Sequence, residues 1–154
     1  MTTYFSNFIT GLGEVVKEAL SFNFPDIKII SLLEGLVIYQ TASKIDIIRK
    51  LRFVNNSYIL LLQGRGSSQE LINQILNFKS LDNDTKKFLP SKRISFRIMG
   101  IAENHPLAIN KFQLELLEKK LATPQLFVNR NHPHIEFVLF LRSEGINLFG
   151  LRLS

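Results

Sequence analysis

Lys92-Arg93-Ile94-Ser95-Phe96-Arg97-Ile98 alternates apolar and polar residues, the period of a half-buried strand. Strand side chains alternate faces, so Ile94, Phe96 and Ile98 point one way and Arg93, Ser95 and Arg97 the other. The two guanidiniums stand roughly 13 Å apart at strand rise, a separation suited to two phosphates rather than to one carboxylate. The same arginine face has an ordinary reading too: it can be solvated, or paired with Glu136 on a neighbouring strand.

Outward from this strand, residues 92–154 read as strand, helix, strand, loop, strand, hairpin, strand. A helix is expected over 108–121, with Ile109, Phe112, Leu116, Leu117 and Leu121 buried and Lys111, Glu115 and Lys119 wet. Residues 129–134 form a loop, and Ile135 to Leu141 is apolar enough to be central. Upstream, residues 1–63 follow a β-α-β-β-α-β order, the split βαβ pattern. Its signals are a helix over 12–22 capped by Thr10, a hairpin through Glu34-Gly35, and a second helix from Ser43 to about Phe53. Ser67 and Glu70 make a capping box for a third helix. The segment that ends at Pro90 is polar and turn-rich. The expected division is a first domain over 1–80, a linker over 81–91 and a second domain over 92–154.

The chain carries 19 basic and 13 acidic residues, a net charge of +6. Residues 81–154 hold 11 and 7 of these, so the excess leans toward the half with the arginine strand. That balance favours a polyanionic partner. With no cysteine, disulfides and thiolate metal sites are excluded, and a cytoplasmic setting fits. The opening residues lack a basic n-region, and no apolar run reaches the length of a membrane span.

No catalytic constellation stands out. Gly11-x-Gly13 and Gly64-x-Gly66 lack the third glycine of a dinucleotide turn, with Val16 and Gln69 at that position. His105, His132 and His134 have no carboxylate cluster nearby and read as loop residues rather than metal ligands.

Several short motifs, taken in order, resemble THUMP-containing RNA methyltransferases. They are Tyr4-Phe5-Ser6-Asn7-Phe8 before Gly11-Leu12-Gly13-Glu14, the hairpin Glu34-Gly35-Leu36-Val37-Ile38-Tyr39, Ser95-Phe96-Arg97-Ile98, and Asn129 to Phe137 before Phe149-Gly150-Leu151-Arg152-Leu153. His132 interrupts the family's Asn-Pro, and His134 stands where the family carries an acid. The resemblance implies an α+β chain, with a ferredoxin-like N-terminal domain followed by an α/β THUMP domain. In that family the two domains dock the tRNA acceptor end, and a following domain methylates guanosine with S-adenosylmethionine. This chain would then bind tRNA or another structured RNA through Lys86, Lys87, Lys92, Arg93, Arg97, Arg130, Asn131, His132, Arg142 and Arg152. Chemistry, and S-adenosylmethionine, would belong to a C-terminal methyltransferase domain or subunit beyond Ser154. The competing expectation is a structural, dimer-forming module whose positive charge is incidental.

Overall fold

A computed structural model describes residues 1–79, 86–103 and 105–154. Among these the chain is α+β, with nine strands and four helices. It divides into two compact units, one of residues 1–60 with 152–154, the other of residues 61–151. Residues 80–85, which include the first five of the expected linker, lie outside the described residues.

The first unit holds β1 (Thr2–Asn7), α1 (Gly13–Asn23), β2 (Lys28–Leu33), β3 (Leu36–Thr41), α2 (Ile45–Arg49) and the start of β4 (Asn56–Arg65). Its strands lie in the order β2-β3-β1-β4, every pair antiparallel. Two split βαβ units therefore interleave, as the element order predicts. The hairpin closes between Leu33 and Leu36, with Gly35 at φ +75°, a left-handed conformation that favours glycine. Strand β2 is outermost, and its register shifts between Ile29 and Ser31. Phe5 stacks on Tyr58 with ring centres 4.6 Å apart. Between β3, β1 and β4 runs a buried polar chain, in which Ser6 Oγ lies 3.0 Å from Tyr39 Oη and 2.8 Å from Ser57 Oγ. Burial pushes the Tyr39 phenol up to about 12.

The helices differ from their sequence readings. Helix α1 begins after Leu12 with no side-chain cap, so Thr10 does not serve as one. Its buried residues are Val16 and Leu20, while Val15 is 58% and Phe22 88% exposed. Helix α2 is a single short turn and a half that buries Ile48 and leaves Ile47 half exposed. Lys44 precedes it, and Ser43 gives its amide to Thr41 Oγ1 instead of capping. Strand β4 is buried over Ser57–Ile59 and at Gly64.

The second unit holds α3 (Ser68–Asn77), β5 (Ile94–Ala102), β6 (His105–Leu107), α4 (Lys111–Leu121), β7 (Leu126–Val128), β8 (Ile135–Leu141) and most of β9 (Ile146–Arg152). The strand order is β9-β8-β5-β6, with β7 also pairing with β5. Strands β7 and β8 both run parallel to β5, whereas β9 and β6 run antiparallel to their neighbours. The Ser67 hydroxyl accepts the Glu70 amide at 3.2 Å, the expected cap. Helix α3 packs beside α4 and falls in this unit. Phe96, Phe137 and Phe149 form the aromatic centre: Phe137 meets Phe96 edge-on and stacks on Phe149. Helix α4 is capped by Asn110, whose Oδ1 accepts the Phe112 and Gln113 amides. It starts three residues later than expected and is turned about its axis. Its buried residues are Leu117, Glu118 and Leu121, while Phe112 is 69% exposed.

The Asp26 carboxylate, in the first unit, accepts the Ala42 amide and the Thr41 hydroxyl, both at 2.7 Å, and these bonds hold its pKa below the ordinary value. A carboxyl with a depressed folded pKa adds stability above its unfolded pKa and loses it as pH falls through the folded one. Asp26→Asn is therefore expected to lower the melting temperature at neutral pH. The gap to the parent should close as pH drops below the ordinary aspartate range. A gap that stays constant with pH in thermal melts would refute this.

Candidate nucleic-acid interface

The register between β5 and β8 sets Arg97 directly opposite Glu136. Arg97 Nε donates to Glu136 Oε2 at 2.9 Å, with side chains 33% and 19% exposed. The pair alternative read from the sequence is thus the one the fold adopts. A partly exposed pair of this kind contributes about 0.2–1 kcal/mol, and it halves the charge the strand offers to an approaching anion. Arg97 Nη1 also donates to the Arg130 carbonyl at 3.3 Å.

Ser95, between the two arginines, is buried rather than outward, because the β7–β8 loop covers it. The Ser95 amide donates to His134 Nδ1 at 2.9 Å, and its Oγ lies 2.8 Å from the same nitrogen. The His134 amide in turn donates to the Ser95 carbonyl, and the Asn129 amide to the Phe96 carbonyl. Within the loop, Asn129 Oδ1 accepts the Asn131 and His132 amides at 3.2 and 3.0 Å. Such an Asx turn fixes the backbone without secondary structure. His134 is therefore a clamp of the loop rather than a free surface histidine.

Arg130 leaves this loop and grips Glu118 of α4 with two bonds, Nε to Oε2 at 2.9 Å and Nη2 to Oε1 at 2.7 Å. Glu118 is 8% exposed and Arg130 49%. The bonds to Glu118 push the Arg130 pKa further up, so the guanidinium stays charged. Asn131 and His132 remain exposed at the loop tip. Glu118 was missed because it falls on the face read as neither core nor pair. The only clue is an Arg 12 residues downstream, and sequence spacing does not link them.

At the start of β5, Arg93 lies over the Phe127 ring, 4.3 Å from its centre. Arg93 is exposed, as are Lys86, Lys87 and Lys92. Lys86 and Lys92 line a cleft of about 300 Å³ whose walls include Leu89, Pro90, Leu121 and Leu126. The first half of β5 thus gathers Lys86, Lys92, Arg93, Arg97, Arg130, Asn131 and His132 around one end of the parallel strands. Lys87 is the next residue after Lys86 but does not line the cleft. Two residues of the predicted set are not brought to this end. Arg142 follows β8 at its far end and binds Glu144, with Nη2 to Oε1 at 2.6 Å. Arg152 belongs to the first unit, where it donates to Asn56 Oδ1 and the Ser154 carbonyl. Among the described residues, no three His, Asp or Glu side chains cluster as metal ligands would. No described helix is long and apolar enough to cross a membrane.

Neither a protein-family model nor a curated protein sequence matches the chain. Solved structures share its fold. TrmN from Thermus thermophilus superposes with a TM-score of 0.66 at 15% identity, covering 100% of this chain and 46% of that one. A possible methylase from Clostridium difficile 630 gives 0.65 at 13% identity, over 98% and 41%. A 4-thiouridine synthetase, solved as an RNA complex with bound ATP, gives 0.59 at 15% identity, over 99% and 42%. The chain spans less than half the length of each of these three.

Removing the His134 ring strips the acceptor from a buried backbone amide, which costs about 1–3 kcal/mol. His134→Ala is expected to lose that much stability in denaturant titration. It should also speed amide exchange at Ser95 and over 129–134. Unchanged exchange in that segment would show that the ring does not hold the loop.

Proposed function

We propose that this chain is an RNA-docking module whose shape and positive charge receive a structured RNA, with the acceptor end of tRNA as the favoured ligand. The observation that carries the reading is the β7–β8 loop. It is clamped at both ends and presents the Asn131 side chain and the His132 ring outward, beside Lys92 and Arg93, which hold no carboxylate among the described residues. A pre-ordered loop of donors with a stackable ring suits unstacked nucleotides, while lysine and arginine supply phosphate contacts that need no sequence.

The split βαβ topology of the first unit supports a ferredoxin-like domain, and the resemblance in the second supports a THUMP domain. On this reading, methyl transfer from S-adenosylmethionine belongs to a C-terminal domain or partner subunit, and this chain makes no bond itself. The likeness to TrmN and to the C. difficile methylase is consistent with such a parent, and the RNA complex of the synthetase with such a ligand.

The geometry ranks the cations. Arg97 and Arg130 already hold internal carboxylates, so each gives less to a phosphate than Lys92 or Arg93. The plot of log affinity for tRNA against log salt should be steep, and Lys92→Ala and Arg93→Ala should each lower its slope by about 1. Arg97→Ala should lower it by less. Equal binding of tRNA and a scrambled RNA duplex at moderate salt would defeat the docking reading. An assembly role is favoured by one feature, the exposed Val15 and Phe22 on α1. Dimers in light scattering without any RNA binding would support it instead.

A further inference from the structure

The His134 ring is held by the hydrogens it accepts. Its Nδ1 takes the Ser95 amide at 2.9 Å and lies 2.8 Å from the Ser95 hydroxyl oxygen. That oxygen accepts the His134 amide at 3.1 Å, which leaves its own hydrogen to point at Nδ1. An N–H aimed at a ring nitrogen requires a lone pair there, so the ring carries its proton on Nε2. Ser95 is 1% exposed, and bulk water does not stand in for a lost acceptor at its amide. His134 itself is exposed, so protons reach the ring.

Imidazole is the side chain that takes up a second proton between about pH 8 and about pH 5. The imidazolium carries a hydrogen on each nitrogen and has no acceptor left. A protonated Nδ1 can still donate to the Ser95 hydroxyl, but its hydrogen is then set against that of the Ser95 amide. A buried donor stripped of its acceptor opposes that arrangement. The charged groups around the ring come from each neighbouring element. On β5, Arg93 and Arg97 stand two residues before and two after Ser95, Arg93 over the Phe127 ring of β7 and Arg97 donating to Glu136. On β8, Glu136 follows two residues after His134. In the loop, Arg130 grips Glu118, and the His132 carbonyl lies 3.5 Å from the Ser95 hydroxyl while its ring stays at the tip.

We infer that His134 is a proton-operated latch on the β7–β8 loop: the neutral ring holds residues 129–134 over Ser95, and the imidazolium lets them go. The other fastenings of the loop do not respond in that pH range. Asn129 Oδ1 and the Phe96 carbonyl are amide acceptors, and the Arg130–Glu118 pair keeps its charges. Release is therefore local, and the pairing of β8 with β5 persists. What the latch adds to stability is present above the imidazole range and is lost as pH falls through it. The latch stands on the loop geometry alone. Its consequence for a ligand rests on the RNA-docking reading, under which it sets the pH at which Asn131 and His132 are presented in order.

The test follows amide exchange in the whole chain from about pH 8 to about pH 5, each rate divided by its intrinsic rate at that pH. Protection at Ser95 and over 129–134 is expected to fall by about tenfold or more as pH drops, while Val138 and Leu139 in β8 keep theirs. His134→Asp supplies an acceptor that stays unprotonated down to about pH 4, and it should hold the protection flat. His132→Gln should behave as the parent does. Protection in the parent that ignores pH, or that falls equally in His134→Asp, would overturn the latch, as would a His132→Gln variant without pH dependence. Should His134→Asp fail to fold, nitrogen-15 spectra of the parent's ring decide. Nδ1 must gain its proton over the pH range in which the Ser95 amide opens, and either event without the other overturns the inference. Affinity for tRNA, measured alongside, separates the latch from the docking reading. Added positive charge tightens tRNA binding as pH falls, whereas release of the loop weakens it. Weakening in the parent but not in His134→Asp would support both. Lost protection with no tRNA binding at any pH would support the latch and remove the docking reading.

Discussion

Parallel strands cannot be joined by a tight turn, and that constraint shapes the candidate interface. Strand β5 has β7 and β8 beside it, both parallel to it. The chain leaving β7 at Val128 must return to begin β8 at Ile135 beside Phe96. Six residues make that return, and they do so by lying over Ser95. Everything exposed at the loop tip follows from this. Asn129 turns the backbone, His134 fastens it, and Arg130 anchors it to α4. A buried strand backbone needs its donors satisfied, and here part of that need is met by the loop that bears the candidate contacts. Stability and ligand presentation thus share atoms.

His134 occupies the position where the resembled family carries an acid. The fold shows what the position demands, an acceptor aimed at the Ser95 amide. An imidazole nitrogen without its proton meets that demand as a carboxylate would. With an imidazole there, the loop carries one negative charge fewer than a carboxylate would give it.

The strands were the legible part of the chain. Alternation marked β5, the Glu34-Gly35 pair marked the β2–β3 hairpin, and the apolar run marked β8 as central. The α3 cap was legible because a capping box is local. The misreadings in the second unit depended on partners far along the chain. Phe112 and Leu116 looked like core by spacing, yet α4 turns Leu117 and Leu121 inward. That orientation also buries Glu118, and a carboxylate is tolerated there because Arg130 reaches it. Ser95 looked outward by alternation, and a loop from 39 residues away covered it. Of the candidate site, the charges were readable and their neutralisation was not. Arg97 was visible as a cation, and its pair with Glu136 required the β5–β8 register.

Strand β2 has a consequence for how this molecule behaves in concentrated solution. It is the outermost strand of the first unit, and an open rim of that kind offers a ladder of amides and carbonyls to any passing chain. The slip in register at Ile29 and Ser31 breaks that ladder's spacing, and the exposed Lys28 adds a charge at one end. A strand arriving from another molecule would find no continuous template. The irregularity thus keeps a sheet full of aromatic and branched residues from growing outward into fibrils or clumps.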